Sequence, residues 1–186
     1  MNKKITFTYV LALFLFGQGL IEAEQNNVVS SDSMYESSYT SIAQKDCQTL
    51  ESDNLGSIEE CESFAGMKVI VIEGDTKQGI ILTRDNKRYE LDFGSLVSQG
   101  FISLNSDLEW RYKRQEFDNP LAMILRLEVN EDEDDVEKVT SYALISKITE
   151  NEICVVGKIK TEENQDELVR KMAEEAISMP CLSSIK

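Results

Sequence analysis

Residues 109 to 126, EWRYKRQEFDNPLAMILR, set the only Trp of the chain between Glu109 and Arg111 and end on Arg126. A carboxylate flanked by two guanidiniums has two readings. One is an ion network that satisfies charge on a partly covered sheet face. The other is an anion pocket, because two Arg forks against one carboxylate leave a surplus positive charge suited to a carboxylate or phosphate. Asp75, in the EGD stretch of residues 73 to 75, completes this candidate anion site of Glu109, Arg111, Arg126 and Asp75. The acids offer a third chemistry, since Glu73 with Asp75, or Asp75 with Glu109, can pair as acid and base for glycosidic hydrolysis. With 34 acidic residues in the chain, some carboxylates fall near one another by chance, so such a pair does not by itself make an enzyme.

The chain contains no His. Ser-His-Asp and Cys-His relays are therefore excluded, as is any His-ligated metal. Neither GxGxxG nor GxxxxGK(S/T) occurs to cradle a phosphate, so no cofactor and no catalytic residues are expected. The run EDEDDVE, residues 131 to 137, gathers oxygens that a hard cation such as calcium would want. It lacks the sixth-position Gly and the spaced order of an EF-hand loop, and it reads as a solvated connection between strands with no metal. Cys47, Cys61, Cys154 and Cys181 make an even number without a CxxC, which argues against zinc or a redox pair and for two disulfides. Three connectivities are open. Pairing Cys47 with Cys61 and Cys154 with Cys181 would tie each irregular segment to its neighbour.

The elements that must position these residues begin after a leader. Residues 1 to 23 have the layout of a secretory signal peptide: Lys3 and Lys4, an uncharged and mainly apolar stretch over 5 to 16, then Gly17, Gly19 and Ala23. Residues 24 to 45 are polar and Ser-rich and read as a flexible leader. Residues 46 to 186 have the length of one disulfide-stabilised domain. Within it, period-2 patterning marks strands over 67–72, 79–83, 88–93, 108–113, 121–129, 139–148 and 153–159, with turn chemistry between them. Short turns between consecutive strands imply antiparallel pairing.

A helix is expected over 165–178, capped by Asn164 with Glu167 returning the bond, and bearing an apolar stripe of Leu168, Val169, Met172, Ala173, Ala176 and Ile177. A short helical turn is expected over 58–64. The fold class is therefore α+β: a curved, meander-like antiparallel sheet of about six or seven strands with the C-terminal helix packed on it. In the 109–126 hairpin, pairing Lys113 with Pro120 puts Trp110 opposite Met123, Leu108 opposite Leu125 and Tyr112 opposite Leu121 on one apolar face. Glu109, Arg111, Ala122, Ile124 and Arg126 then share the other face, with Glu109 diagonal to Arg126.

The stretches EC and FAGMKVIVIEGD within 60 to 75, EWR at 109 to 111, PLAMILR at 120 to 126, ICVVGKI at 153 to 159 and SMPCL at 178 to 182 together resemble a family of small exported bacterial proteins of unassigned activity. The likeness runs from about residue 47 to residue 182. It implies export and a single domain, and no mechanism. Members often carry Arg two positions after the Asp of GD, where this chain has Lys77.

Charge sets the partner class. Loss of Lys3, Lys4 and Glu22 with the signal peptide turns 34 acidic and 19 basic residues into 33 and 17, a net charge of −16. Such a field repels nucleic acid and anionic membranes and attracts cations. No stable membrane insertion is expected once the signal is removed. The expectation is a periplasmic or secreted, non-enzymatic binding protein of the envelope or medium. The alternative is an acidic inhibitor or sequestering protein for a cationic partner such as a basic hydrolase, with a carboxylate-dependent hydrolase behind both.

Overall fold

The computed structural model describes residues 34–74, 77–98, 100–130, 135, 138–162 and 165–183. The signal-peptide segment, Asp75, Asn164 and most of the 131–137 run lie outside these residues.

Among the described residues ten strands form two antiparallel sheets of five, a class of α+β but not the single sheet expected. The first sheet runs β1 (Tyr35–Ser41), β7 (Phe101–Lys113), β8 (Ala122–Asn130), β9 (Val139–Ile148) and β10 (Ile153–Lys160). The second runs β2 (Gln48–Ser52), β3 (Ser57–Phe64), β4 (Met67–Glu73), β5 (Gln78–Arg84) and β6 (Lys87–Leu91). A four-residue helix, α1 (Phe93–Leu96), leads from the second sheet to the first. The sheets are not closed into a barrel. They face each other across one core, in which Val69, Leu82 and Leu91 meet Leu108, Trp110 and Leu125. One helix cannot cover both faces of a sheet as apolar as this one, and a second sheet covers the inner face instead.

The three strands missed in the sequence are the polar ones. β1 lies in the stretch read as leader, yet it pairs with β7 along its whole length and belongs to the compact unit Ser33–Lys186. It also supplies Thr40, whose Oγ1 accepts the Nε1–H of Trp110 at 2.8 Å. β3 replaces the helical turn expected over 58–64. The spacing of Ile58, Cys61 and Phe64 suits one helical face, but pairing with β4 (Glu59 to Val71, Cys61 to Val69) overrides it. Phe64 then stacks on Trp110 with ring centres 5.1 Å apart. β2 is exposed throughout and gives no apolar signal.

Two hairpins turn on residues with positive φ, Ala65 and Gly66 (50° and 75°) and Asp85 and Asn86 (52° and 61°). This backbone matches strand twist in two-residue hairpins and favours Gly, Asn and Asp. Both disulfides have the expected pairing, Cys47–Cys61 and Cys154–Cys181. The first staples β3 to the residue before β2, and the second ties β10 to the chain after the last helix.

That helix, α2 (Asp166–Glu175), ends in a 3-10 turn over Ala176–Ser178. Its N-cap is Gln165, without a side-chain capping bond, in place of Asn164. Val169, Ala173 and Ala176 are its buried residues, packed with Met172 on Ala122, Ile124, Ala143, Ile145 and Val156 of the first sheet. Leu168 and Ile177 of the expected stripe are instead half exposed, because small residues bring the helix close along a narrow line. Gly157 gives room for this approach, as a Cβ there would sit 2.3 Å from Met172 Sδ. No helix among the described residues is long and apolar enough to cross a membrane.

Candidate functional site

The hairpin of β7 and β8 has the expected register, Leu108 opposite Leu125 and Trp110 opposite Met123. Alternation then sends Trp110 into the core and Glu109, Arg111 and Arg126 to the outer face, where α2 lies across β7, β8 and β9. The helix brings its own charges to that face. Asp166, Arg170 and Glu174 recur every fourth residue and so form one stripe beside the buried Val169 and Ala173.

The two sets of charges mesh. Arg111 donates to Glu174, with Nε 3.2 Å from Oε1. Arg170 Nε donates to Glu109 Oε1 at 2.6 Å. Arg126 donates through Nη2 to Asp166 at 2.7 Å and through Nη1 to Glu109 Oε2 at 3.4 Å. The sheet therefore presents plus, minus, plus, and the helix answers minus, plus, minus. Ser37 of β1 links two rungs, donating to Glu109 at 2.7 Å while accepting from Arg111 at 3.1 Å. Tyr39 accepts from Arg170 at 3.0 Å, and the Arg111 guanidinium lies 5.9 Å from the ring centre of Tyr35.

In each rung of this ladder the sheet residue is more buried than its helix partner. The Glu109 side chain is 1 % exposed, against 29 % for Arg126 and 69 % for Asp166. Burial pushes the Glu109 carboxyl up, but the hydrogen bonds of Arg170 and Ser37 and the charges of Arg170 and Arg126 outweigh it. The group is held below the usual carboxylate range. Its hydrogen bond lifts Arg170 above the ordinary guanidinium range, and the Arg126 hydrogen bond holds Asp166 low. Every one of these shifts favours the charged form.

The surplus positive charge expected of Glu109, Arg111 and Arg126 is thus cancelled: three Arg meet Glu109, Asp166 and Glu174. Of the four residues expected at an anion site, the structure brings Glu109 and Arg126 into direct contact and links Arg111 to them through Ser37, while Asp75 lies outside the described residues. A cleft of about 580 Å3 opens beside the ladder, where β7 is irregular between Leu104 and Leu108. Tyr39, Asn105, Ser106 and Asp107 line it together with Glu109 and Arg126. The sequence reading missed Ser37 and Tyr39, because they sit in a stretch with no apolar pattern. It also missed Asp166, Arg170 and Glu174, whose spacing of four beside an apolar stripe was the available signal.

No protein-family model matches the chain, and neither a curated protein nor a solved structure matches it.

Proposed function

We propose that this is an exported, non-enzymatic binding protein whose partner is cationic, an acidic binder or inhibitor of a basic protein. The observation that carries this reading is the neutrality of the ladder. The most conspicuous cluster of Arg is balanced within itself, so the net −15 of the chain belongs to the remaining residues and is free to steer a positive partner. The two disulfides and the signal-like leader support a periplasmic or secreted location, where such bonds persist. The motif likeness to small exported bacterial proteins agrees with that location.

A hydrolase has less support. Glu109, one of the carboxyls expected to act as acid or base, is held below the usual carboxylate range, whereas a general acid needs its proton near neutral pH. A second reading, an anion site on the hairpin, draws on Arg126 at the cleft mouth, but Glu109 and Asp107 line the same cleft and Asp166 engages the same Arg.

The test is binding of the disulfide-bonded protein to a panel of purified basic and acidic proteins, at about 0.05 M and about 0.5 M salt. Binding confined to the basic members and lost in high salt is the expected result. Binding of acidic members, binding indifferent to salt, or no binding at all would overturn the reading.

A further inference from the structure

The outer face of the second sheet carries an apolar row that is only partly covered among the described residues: Ile81 is 4 % exposed, and Ile58, Ile70 and Ile72 are half-buried. β4 and β5 are near-continuous apolar runs, MKVIVIE and QGIILTR. Such runs belong to strands buried on both faces, as β8 and β9 are between the core and α2. In β4 and β5 the inner face is packed more completely than the outer. Val69 and Val71 point into the core with Leu82 and Ile80, while Ile70 and Ile72 point outward beside Ile81 and Gly79. Ile58 of β3 extends this outer row next to Ile72. A row of half-buried isoleucines on a sheet face, with depressions beside it, is a surface on which a partner's apolar side chains can pack.

Two depressions cross the patch and share Ile72, one of about 440 Å3 and one of about 340 Å3. Their floor is Ile58, Ile72, Gly79 and Ile81. Charged side chains lining them are Glu51, Asp53 and Glu73 on one side and Glu90, Asp92 and Lys77 on the other. Glu90 is already paired with Arg88 at 3.1 Å, and both groups of that pair are largely exposed. The rim is still strongly negative, five carboxylates against one amine. An apolar floor between acidic walls selects for a segment that carries apolar side chains flanked by Lys or Arg, and selects against an anionic lipid surface or an acidic peptide.

We propose that this groove is where the cationic partner docks, through an extended segment alternating apolar and basic side chains. This rests on the acidic-binder reading and adds the place and the chemistry of the contact.

Gly79 allows a test that spares the fold. A Cβ at Gly79 meets nothing within 4 Å, so Gly79→Leu fills the floor from open space. The probes are two short synthetic peptides of equal charge, one alternating Lys with Val and one alternating Lys with Ser. Wild type should bind the Lys/Val peptide about tenfold more tightly than the Lys/Ser peptide, and Gly79→Leu should erase that difference while leaving the Lys/Ser affinity unchanged. Equal affinity of wild type for both peptides would overturn the groove, as would a preference that survives Gly79→Leu. Self-association of wild type that Gly79→Leu abolishes would assign the groove to a second copy and overturn the proposal. If the basic-protein panel still binds in a salt-sensitive way while Gly79→Leu has no effect, the acidic-binder reading stands and only the groove falls.

Discussion

Glu109 shows what a buried charge costs and how the chain compensates. Its carboxylate reaches almost no solvent, and it keeps its charge because Arg170, Arg126 and Ser37 converge on it. Removing one member of a fully buried ion pair costs about 3–5 kcal/mol, since the partner is left desolvated and unmatched. Arg170 and Arg126 retain access to water, so Glu109→Gln should cost less, about 2 kcal/mol, read from denaturant unfolding by the emission of Trp110. A variant as stable as wild type would show the ladder to be inert. The sign of the pH dependence follows from the depressed carboxyl. A group with a lowered folded pKa stabilises above its unfolded value and loses that contribution as pH falls through the folded one. The ordinary value for a Glu carboxyl is 4.5. Stability measured across this range should therefore fall as pH drops below about 4.5, and Glu109→Gln should show a shallower fall. Parallel pH profiles for the two proteins would contradict that assignment.

At the scale of elements, the ladder fixes where α2 sits. Sliding the helix by one turn would set Glu174 against Glu109 and would leave Arg111 facing no carboxylate of the helix. Swapping one rung, Glu109→Arg with Arg170→Glu, should recover part of the stability that each single reversal loses, by about 1 kcal/mol or more in a double-mutant cycle. Strict additivity of the single losses would mean that the rung carries no coupling.

These elements also show how far the chain could be read without coordinates. The hairpin register was legible in part, because a one-residue slip would put Trp110 on a face with Ala122, Ile124 and Arg126. The disulfides followed from chain proximity, and seven strands and the long helix from periodicity. β1, β2 and β3 were not legible: their pairing is non-local or their side chains polar, so the information that makes them strands lies in β7 and β4. The division into two sheets was lost with them, and so was the identity of what covers Arg111.

For the whole molecule, the two outer faces differ in kind. The face of the first sheet is closed by α2 with balanced charge, and the face of the second carries a half-buried apolar row with an acidic rim. Charge alone would have the acidic surplus act everywhere, whereas the groove between Glu51 and Asp92 sets five of the carboxylates beside apolar side chains. The most direct test of this division of labour compares affinity for the Lys/Val peptide in wild type, Gly79→Leu and Arg126→Ala, after far-ultraviolet circular dichroism and Trp110 emission confirm that all three are folded. The account predicts wild-type affinity for Arg126→Ala and about tenfold weaker binding for Gly79→Leu. Loss of binding in Arg126→Ala with full binding in Gly79→Leu would place the site on the hairpin and contradict it.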